Sequence, residues 1–240
     1  MKKHYILVSS FLTLFIIWYI LYLVVDQPML LPSMSEVWIS LLDIIFSKDI
    51  LIILTSLFRL LIAFFIACSL GIVLGFLSAK YHWLEYWQHP YVSILRTIPV
   101  ISIIVILYIL LGDQITVYVI TFLMIFPLFY EATLDIIKRI DPYLIDALKL
   151  DEVHFKESLI FVYTPILKEQ LKVTVVQSLG LGIKVLVMAE YLTQAKYSIG
   201  SSIYLAKINL DYVQVYAWTI ILLLIIATIK ITIKGINKAV

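Results

Sequence analysis

Lys138 to Leu171, KRIDPYLIDALKLDEVHFKESLIFVYTPILKEQL, is the only long polar stretch in a chain that otherwise reads as hydrophobic spans, and its reading decides the fold. Asp141 before Pro142 is a helix start. An Asp side chain accepts from free backbone N–H groups, and a proline at the first helical position forfeits no hydrogen bond. A short helix follows. From about Val153 a second begins, in which Phe155, Leu159, Val162 and Tyr163 fall at offsets 0, 4, 7 and 8 and make one apolar stripe. Pro165 disfavours helix at Thr164 and is expected to end it. The two helices meet at an acidic elbow, Asp151 and Glu152. A short amphipathic hairpin of this kind, set between spans, calls for a protein partner with a groove.

The surroundings of the hairpin fix the class. Hydrophobic residues make up 63% of the 240 and charged ones 14%, with a mean hydropathy of +1.05. A soluble globule carries an apolar share nearer ~45–50%, so the expected fold is an all-α polytopic membrane protein. A crossing helix needs roughly 20 mainly apolar residues, and runs of that length can be drawn about six times. The net charge of +2 and the scatter of basic residues exclude a nucleic-acid partner. Cys68, the single cysteine, lies in an apolar run, which excludes a disulfide and leaves it to packing.

Taken in order, Met1 to Val25 is an uncleaved first span, too long and too poor in small residues for a signal peptide. Ser33 and Glu36 have capping-box spacing at the head of an amphipathic helix carrying Val37, Trp38, Leu41, Ile44 and Ile45, placed at the outer surface. Span two, about Leu51 to Ala79, holds Ala63, Ala67, Gly71 and Gly75 on one face, a ladder that lets helix backbones approach closely in lipid. A polar inner turn, Lys80 to His89, leads to span three, about Tyr91 to Leu111, with Arg96 and Pro99. Gly112-Asp113-Gln114 makes a tight turn. Span four, about Ile115 to Ile137, contains Pro127 and Glu131, and its kink is tolerated where neighbours satisfy the freed carbonyl. After the hairpin come span five, about Lys172 to Tyr191, an outer loop around Ser198 to Ser202, and span six, about Tyr212 to Ile233. The whole chain, 1–240, is one membrane domain: a first span plus outer helix over 1–48, a core over 49–235, and the 138–171 loop inside that core.

The positive-inside rule orients it. Twelve Lys and Arg residues, among them Lys2, Lys3, Lys80, Lys138, Arg139 and Lys238, fall on the side of the hairpin, and three, Lys48, Lys196 and Lys207, on the other. Both termini and the hairpin are therefore expected in the cytoplasm.

No enzyme constellation is visible. The four histidines lack metal-ligand spacing, and no phosphate-binding glycine loop occurs, so any ATP-driven step needs a second chain. Charges inside spans are costly and are functional candidates by default. Arg96 and Glu131 sit in the inner third of their spans and can pair across a helix interface, structurally or as a gate. Arg59, Lys184 and Glu190 fall in the outer half. Lys184 and Glu190 are separated by about 600° of helix rotation and cannot share a face, so each needs another partner. A basic pair there suits an anionic substrate; for Glu190, snorkelling to the surface is an equal alternative.

The hairpin resembles the cytoplasmic "EAA" loop of permease subunits of binding-protein-dependent ABC importers, Glu-Ala-Ala, three residues, Gly, nine residues, Ile-x-Leu-Pro. Counting back from Pro165 places Asp146 at the Glu, Ala147 and Leu148 at the alanines, Glu152 at the Gly and Val162 at the Ile. The spacing matches throughout. Glu152 stands in for the glycine and Thr164 for the leucine, and Asp151 is placed to cap the second helix. Leu31 to Val37 is similar to the "LPSPSEV" segment of the nitrate, sulfonate and taurine group. Ser56 to Arg59 with the Gly71 and Gly75 ladder, Leu95 to Pro99, and Ile183 to Glu190 followed by Ser198-Ile199-Gly200 are similar to further segments of that group, in the same order.

The resemblance implies a type I, MetI-like permease fold in a bacterial inner membrane, working as a homodimer in contact with lipid. It implies a cytoplasmic ATPase that binds ATP and Mg, docked on Asp146, Ala147, Leu148, Asp151, Glu152, Phe155, Leu159 and Pro165, and an external solute-binding protein that delivers a small solute. No cofactor is expected on this chain. The rival readings are a secondary transporter or channel without an ATPase, which lacks support from any half-to-half symmetry, and a membrane scaffold whose loop is a mere connector, which the length of the loop disfavours.

Overall fold

The structure, a computed structural model, describes residues 2–27, 29–141, 143–144, 150 and 154–239. Among the described residues all regular structure is helical. The helices are α1 (Lys2–Val25), α2 (Met34–Phe46), α3 (Ile50–Lys80), α4 (His82–Thr97), α5 (Val100–Lys138), α6 (Phe155–Ser158), α7 (Thr164–Thr193), α8 (Ile199–Ile208) and α9 (Tyr212–Ala239), with a π-helical turn, Leu159–Tyr163, between α6 and α7. Ile50–Lys80, Val100–Lys138, Ile160–Thr193 and Tyr212–Thr232 are long and apolar enough to cross a membrane. The chain is an all-α polytopic membrane protein.

Two cores organise it. In the larger, α3, α5 and α7 interlock through Leu60, Phe64, Ile120, Ile125, Phe129, Ile183 and Leu186, and Phe64 meets Phe129 edge to face at 5.5 Å. The α3–α5 contact is the most extensive of the structure, and the small-residue ladder is what allows it. A Cβ on Gly71 would lie 2.6 Å from Phe129 Cβ, and one on Gly75 only 2.5 Å from the Tyr130 carbonyl oxygen. Ala63 and Ala67 continue the same buried face. The smaller core joins α2, α8 and α9 through Val37, Leu41, Ile44, Ile199 and Trp218. Ser33 and Glu36 form a capping box at the head of α2, and the hydrogen bond from Ser33 holds the Glu36 carboxyl below its ordinary range. Trp38 points away from this core and is exposed, one step off the Val37–Leu41–Ile44 stripe.

Four expectations need correction. The polar inner turn Lys80 to His89 is helical: α4 begins at His82, directly after the extended Tyr81. Its exposed Trp83, Tyr86, Trp87 and Tyr91 suit a membrane interface, where an aromatic ring and its polar edge are both accommodated. Span three is not one helix, because α4 ends at Thr97 and Pro99 starts α5. The tight turn at Gly112-Asp113-Gln114 reduces to Gly112 alone, at φ 78° and ψ −176° inside α5. A straight α5 of 39 residues would be about 58 Å long, nearly twice a hydrocarbon core of ~30 Å, and this glycine divides it into 100–111 and 113–138. Finally, the outer loop at Ser198 to Ser202 is the start of α8. Ser198 caps it by accepting from the Ser201 N–H at 3.1 Å.

Replacing Gly75 with Ala should cost about 1–3 kcal/mol, the range for overpacking a filled site, and lower the Tm in detergent. Gly180→Ala, where a Cβ meets nothing within 4 Å, should leave the Tm unchanged or raise it. Equal Tm values for the two variants would remove the close-approach account of α3 and α5.

Candidate translocation and coupling sites

At one end of the bundle a buried polar network ties four elements together. Ser56 and Arg59 are one turn apart on α3, so they present adjacent groups to α7. Arg59 Nη1 binds Glu190 Oε1 at 3.1 Å, with both side chains almost wholly buried. Arg59 Nη2 donates to Gln114 Oε1 at 2.7 Å and to the Lys196 carbonyl at 2.8 Å. Ser56 Oγ donates to the Glu190 carboxylate at 2.8 Å and accepts from the Ile199 N–H at 3.1 Å. The Gly200 N–H completes the carboxylate's shell at 3.3 Å. That approach demands glycine, since a Cβ on Gly200 would lie 2.4 Å from Tyr191 N and 2.5 Å from the Val187 carbonyl. The arrangement meets the condition for a charge in a low-dielectric interior, a partner of opposite sign and hydrogen bonds to the remaining donors and acceptors.

Arg59 and Glu190, read above as pathway candidates, are thus placed in the interior and against each other. Snorkelling of Glu190 is excluded by its complete burial. Lys184, six residues before it on α7, lies on the exposed face, as the rotation argument requires, and makes no ion pair among the described residues.

At the other end, Arg96 of α4 pairs with Glu131 of α5, and Lys138 Nζ binds Glu85 at 2.5 Å. Pro99 separates α4 from α5 and lets α4 fold back to make both contacts. A polar cavity of about 620 Å³ lies between the two helices, with Glu85, Arg96, Tyr130, Glu131, Asp135 and Lys138 in its wall. The hydrogen bond from Lys138 holds the Glu85 carboxyl below its ordinary range.

Beyond Lys138 the polar loop begins. Asp141 Oδ1 accepts from the Tyr143 N–H at 2.9 Å, the geometry of a helix cap. Asp146, Ala147, Leu148, Asp151 and Glu152 lie outside the described residues; Phe155 and Leu159 are described by their helical backbone. The second helix of the hairpin was expected to end at Thr164. Instead α6 passes through the π turn into α7, and Pro165 sits in the first turn of α7. A proline ring collides with the carbonyl four residues back, here that of Phe161, and the wider π turn at Leu159–Tyr163 makes room for it. The second arm of the hairpin, from Phe155, and span five are therefore one continuous rod ending at Thr193.

Sequence reasoning missed the Arg59–Glu190 pair because its members are 131 positions apart. Only the Ser56/Arg59 spacing hinted at a shared polar face.

Residues 71–240 match a family model described as "Binding-protein-dependent transport system inner membrane component". No curated protein matches the chain.

Two outcomes follow from the network and the α4 tie. Glu190→Met strands Arg59 and should destabilise the protein by about 3–5 kcal/mol, while adding Arg59→Met should recover most of that loss; an additive double variant, measured by detergent–SDS unfolding, would show that the pair is not coupled. The Glu85–Lys138 tie is fully formed above about pH 4.5, the ordinary value of the carboxyl, and is lost as pH falls through the lower folded value. Acid titration of Trp83 and Trp87 fluorescence should show that step, and Glu85→Gln should abolish it.

Proposed function

The chain belongs to the family of binding-protein-dependent transport system inner membrane components, and we propose that its 138–171 loop couples the membrane helices to a cytoplasmic ATPase. It is a permease subunit of an ABC importer, integral to the inner membrane, with the MetI-like all-α permease domain; it is a transporter and not an enzyme.

The observation that carries the coupling reading is the uninterrupted rod from Phe155 to Thr193. About 38 residues of helix at 1.5 Å each extend over ~57 Å, from the loop with EAA spacing to the buried Glu190. A displacement imposed at the loop is delivered along that rod to the opposite end, where Glu190 holds α3 and α8. Closure of the ATPase pair on ATP and Mg, both bound by that partner, moves the rods and switches the pathway between outward-facing and inward-facing states.

The remaining parts of the proposal have their own supports. A homodimer answers a problem in α7, whose exposed face carries Gln177 and Lys184 within a candidate span; such side chains avoid lipid and face protein or a water-filled cavity. A second copy supplies that environment. Orientation with both termini in the cytoplasm follows the excess of Lys and Arg on the hairpin side. A solute-binding protein delivers the small solute to the opposite face. Membership of the nitrate, sulfonate and taurine group rests on the five ordered segments from Leu31 to Gly200.

Ala147→Asp places a charge at the first alanine position of the EAA spacing. It should leave insertion and Tm intact and abolish transport while the ATPase still hydrolyses ATP without coupling. Transport at the normal rate in this variant would overturn the docking assignment.

A further inference from the structure

The polar cavity between α4 and α5 has both charge and hydrogen-bonding capacity left over. Its wall holds three carboxylates, Glu85, Glu131 and Asp135, and two permanent cations, Arg96 and Lys138. Arg96 is taken by Glu131 and Lys138 by Glu85. Asp135 makes no ion pair among the described residues, so with His89 counted as neutral the wall carries one negative charge in excess.

A buried hydroxyl is also left without a partner. Tyr130 is 2% exposed and its phenol oxygen makes no hydrogen bond, although buried polar groups are almost always paired. The phenol belongs to the cavity wall, among Glu85, Glu131 and Lys138, with Ser78 of α3 beside it. Ser78 Oγ is buried and unpartnered too, so Tyr130 can donate to Ser78 and keep its own lone pairs for the cavity. On α4, Gln88 lies within one turn of both Glu85 and Val92, two wall residues, and its Oε1 likewise lacks a donor. Behind Tyr130 the α3–α5 contact is closed, with Ser78 and Thr133 fully buried. The cavity is therefore a dead end and not a passage.

These features select the chemistry of an occupant. A carboxylate or phosphate would add negative charge beside the free Asp135. A metal ion is poorly served, because no three His, Cys, Asp or Glu side chains among the described residues converge to hold one. An ammonium fits: its charge offsets Asp135, its N–H groups donate to the waiting acceptors, and its carbon chain lies against Val92 and Leu134.

We propose that this cavity binds a small primary ammonium, recognised by Asp135 and Tyr130. Bound there, the cation lies between α4 and α5 and braces the end of α5 from which the polar loop departs. Two sources carry this chemistry, a free amine and the headgroup of an ethanolamine lipid, and the exposed Trp83 and Trp87 of α4 suit the headgroup layer.

The probe is ethanolammonium chloride, added to the purified, lipid-free chain in non-ionic detergent and phosphate buffer. Tetramethylammonium chloride, a cation without N–H donors, is the control at equal concentration. A ligand held by the folded chain raises the Tm with concentration; ethanolammonium should do so and tetramethylammonium should not. Tyr130→Phe removes an acceptor from a charged donor and should weaken the Kd on the order of tenfold. Asp135→Asn, at an exposed position, should weaken it up to about fivefold. Without amine, Tyr130→Phe should keep or raise the Tm, since the hydroxyl it deletes is unpartnered, and this separates loss of binding from loss of fold. The proposal is overturned by no shift with ethanolammonium, by an equal shift with tetramethylammonium, or by a shift that both substitutions leave unmoved. A fall in Tm for Tyr130→Phe without amine, the sign of a hydroxyl satisfied by water alone, also overturns it. Repeating the titration in phosphatidylcholine and phosphatidylethanolamine nanodiscs identifies the source: a shift in the first alone assigns the site to the headgroup, and equal shifts in both assign it to a free amine. None of these readings needs an ATPase, so the site can fail while the coupling variant at Ala147 behaves as expected, and the reverse.

Discussion

The ion pair between Arg59 and Glu190 is the constraint on which the arrangement of one end of the bundle depends. A carboxylate cannot remain charged and unpartnered in an apolar bundle, and here both carboxylate oxygens accept hydrogen bonds, from Arg59, Ser56 and the Gly200 N–H. Satisfying one side chain thereby fixes α3, α7 and α8 relative to one another. Arg59 extends the tie to α5 through Gln114 and to the loop after α7 through the Lys196 carbonyl. Where α3 crosses α5 toward the other end, the attachment has a different basis: Gly71 and Gly75 remove side chains, and backbone meets backbone. One end is held by charge and the other by close packing.

Between these attachments the rod from Phe155 to Thr193 packs along α5 through Leu167, Leu171, Ile183 and Leu186. One end leaves the polar loop, the middle crosses against α5, and the other end carries Glu190. A proline inside a helix is usually a weak point; the π turn before Pro165 preserves continuity. The charged contacts of α4, Arg96 with Glu131 and Lys138 with Glu85, attach that helix to the end of α5 from which the loop departs. The coupling proposed above needs such a path, since chemistry performed by another chain has to reach the solute by mechanical means.

Much of this was legible in the sequence, for identifiable reasons. The Gly71 and Gly75 ladder and the Ser33/Glu36 capping box are local patterns whose spacing dictates the contact they make. Membrane class and the polar loop followed from composition. The Arg96 and Glu131 depths also permitted the pairing that the structure contains. What escaped was non-local or ambiguous. Glu190 had to find Arg59 across most of the chain, and the rotation argument could only rule out Lys184. Ser198 and Gly200 look like loop residues, yet one caps α8 and the other lets a carboxylate reach a backbone N–H. Pro165 was read as a stop because a π turn has no sequence signal of its own. The aromatic run from Trp83 to Tyr91 looked polar only because its charged and histidine neighbours dominate a simple count.

The central claim is that this chain is moved by an ATPase it grips from the cytoplasmic side. Purifying it from native membranes in mild detergent and reconstituting what accompanies it in vesicles tests that most directly. The account predicts an ATPase in equal amount to the permease, and solute uptake that requires ATP and the solute-binding protein. Uptake by the chain alone, driven by an ion gradient and indifferent to ATP, would contradict it.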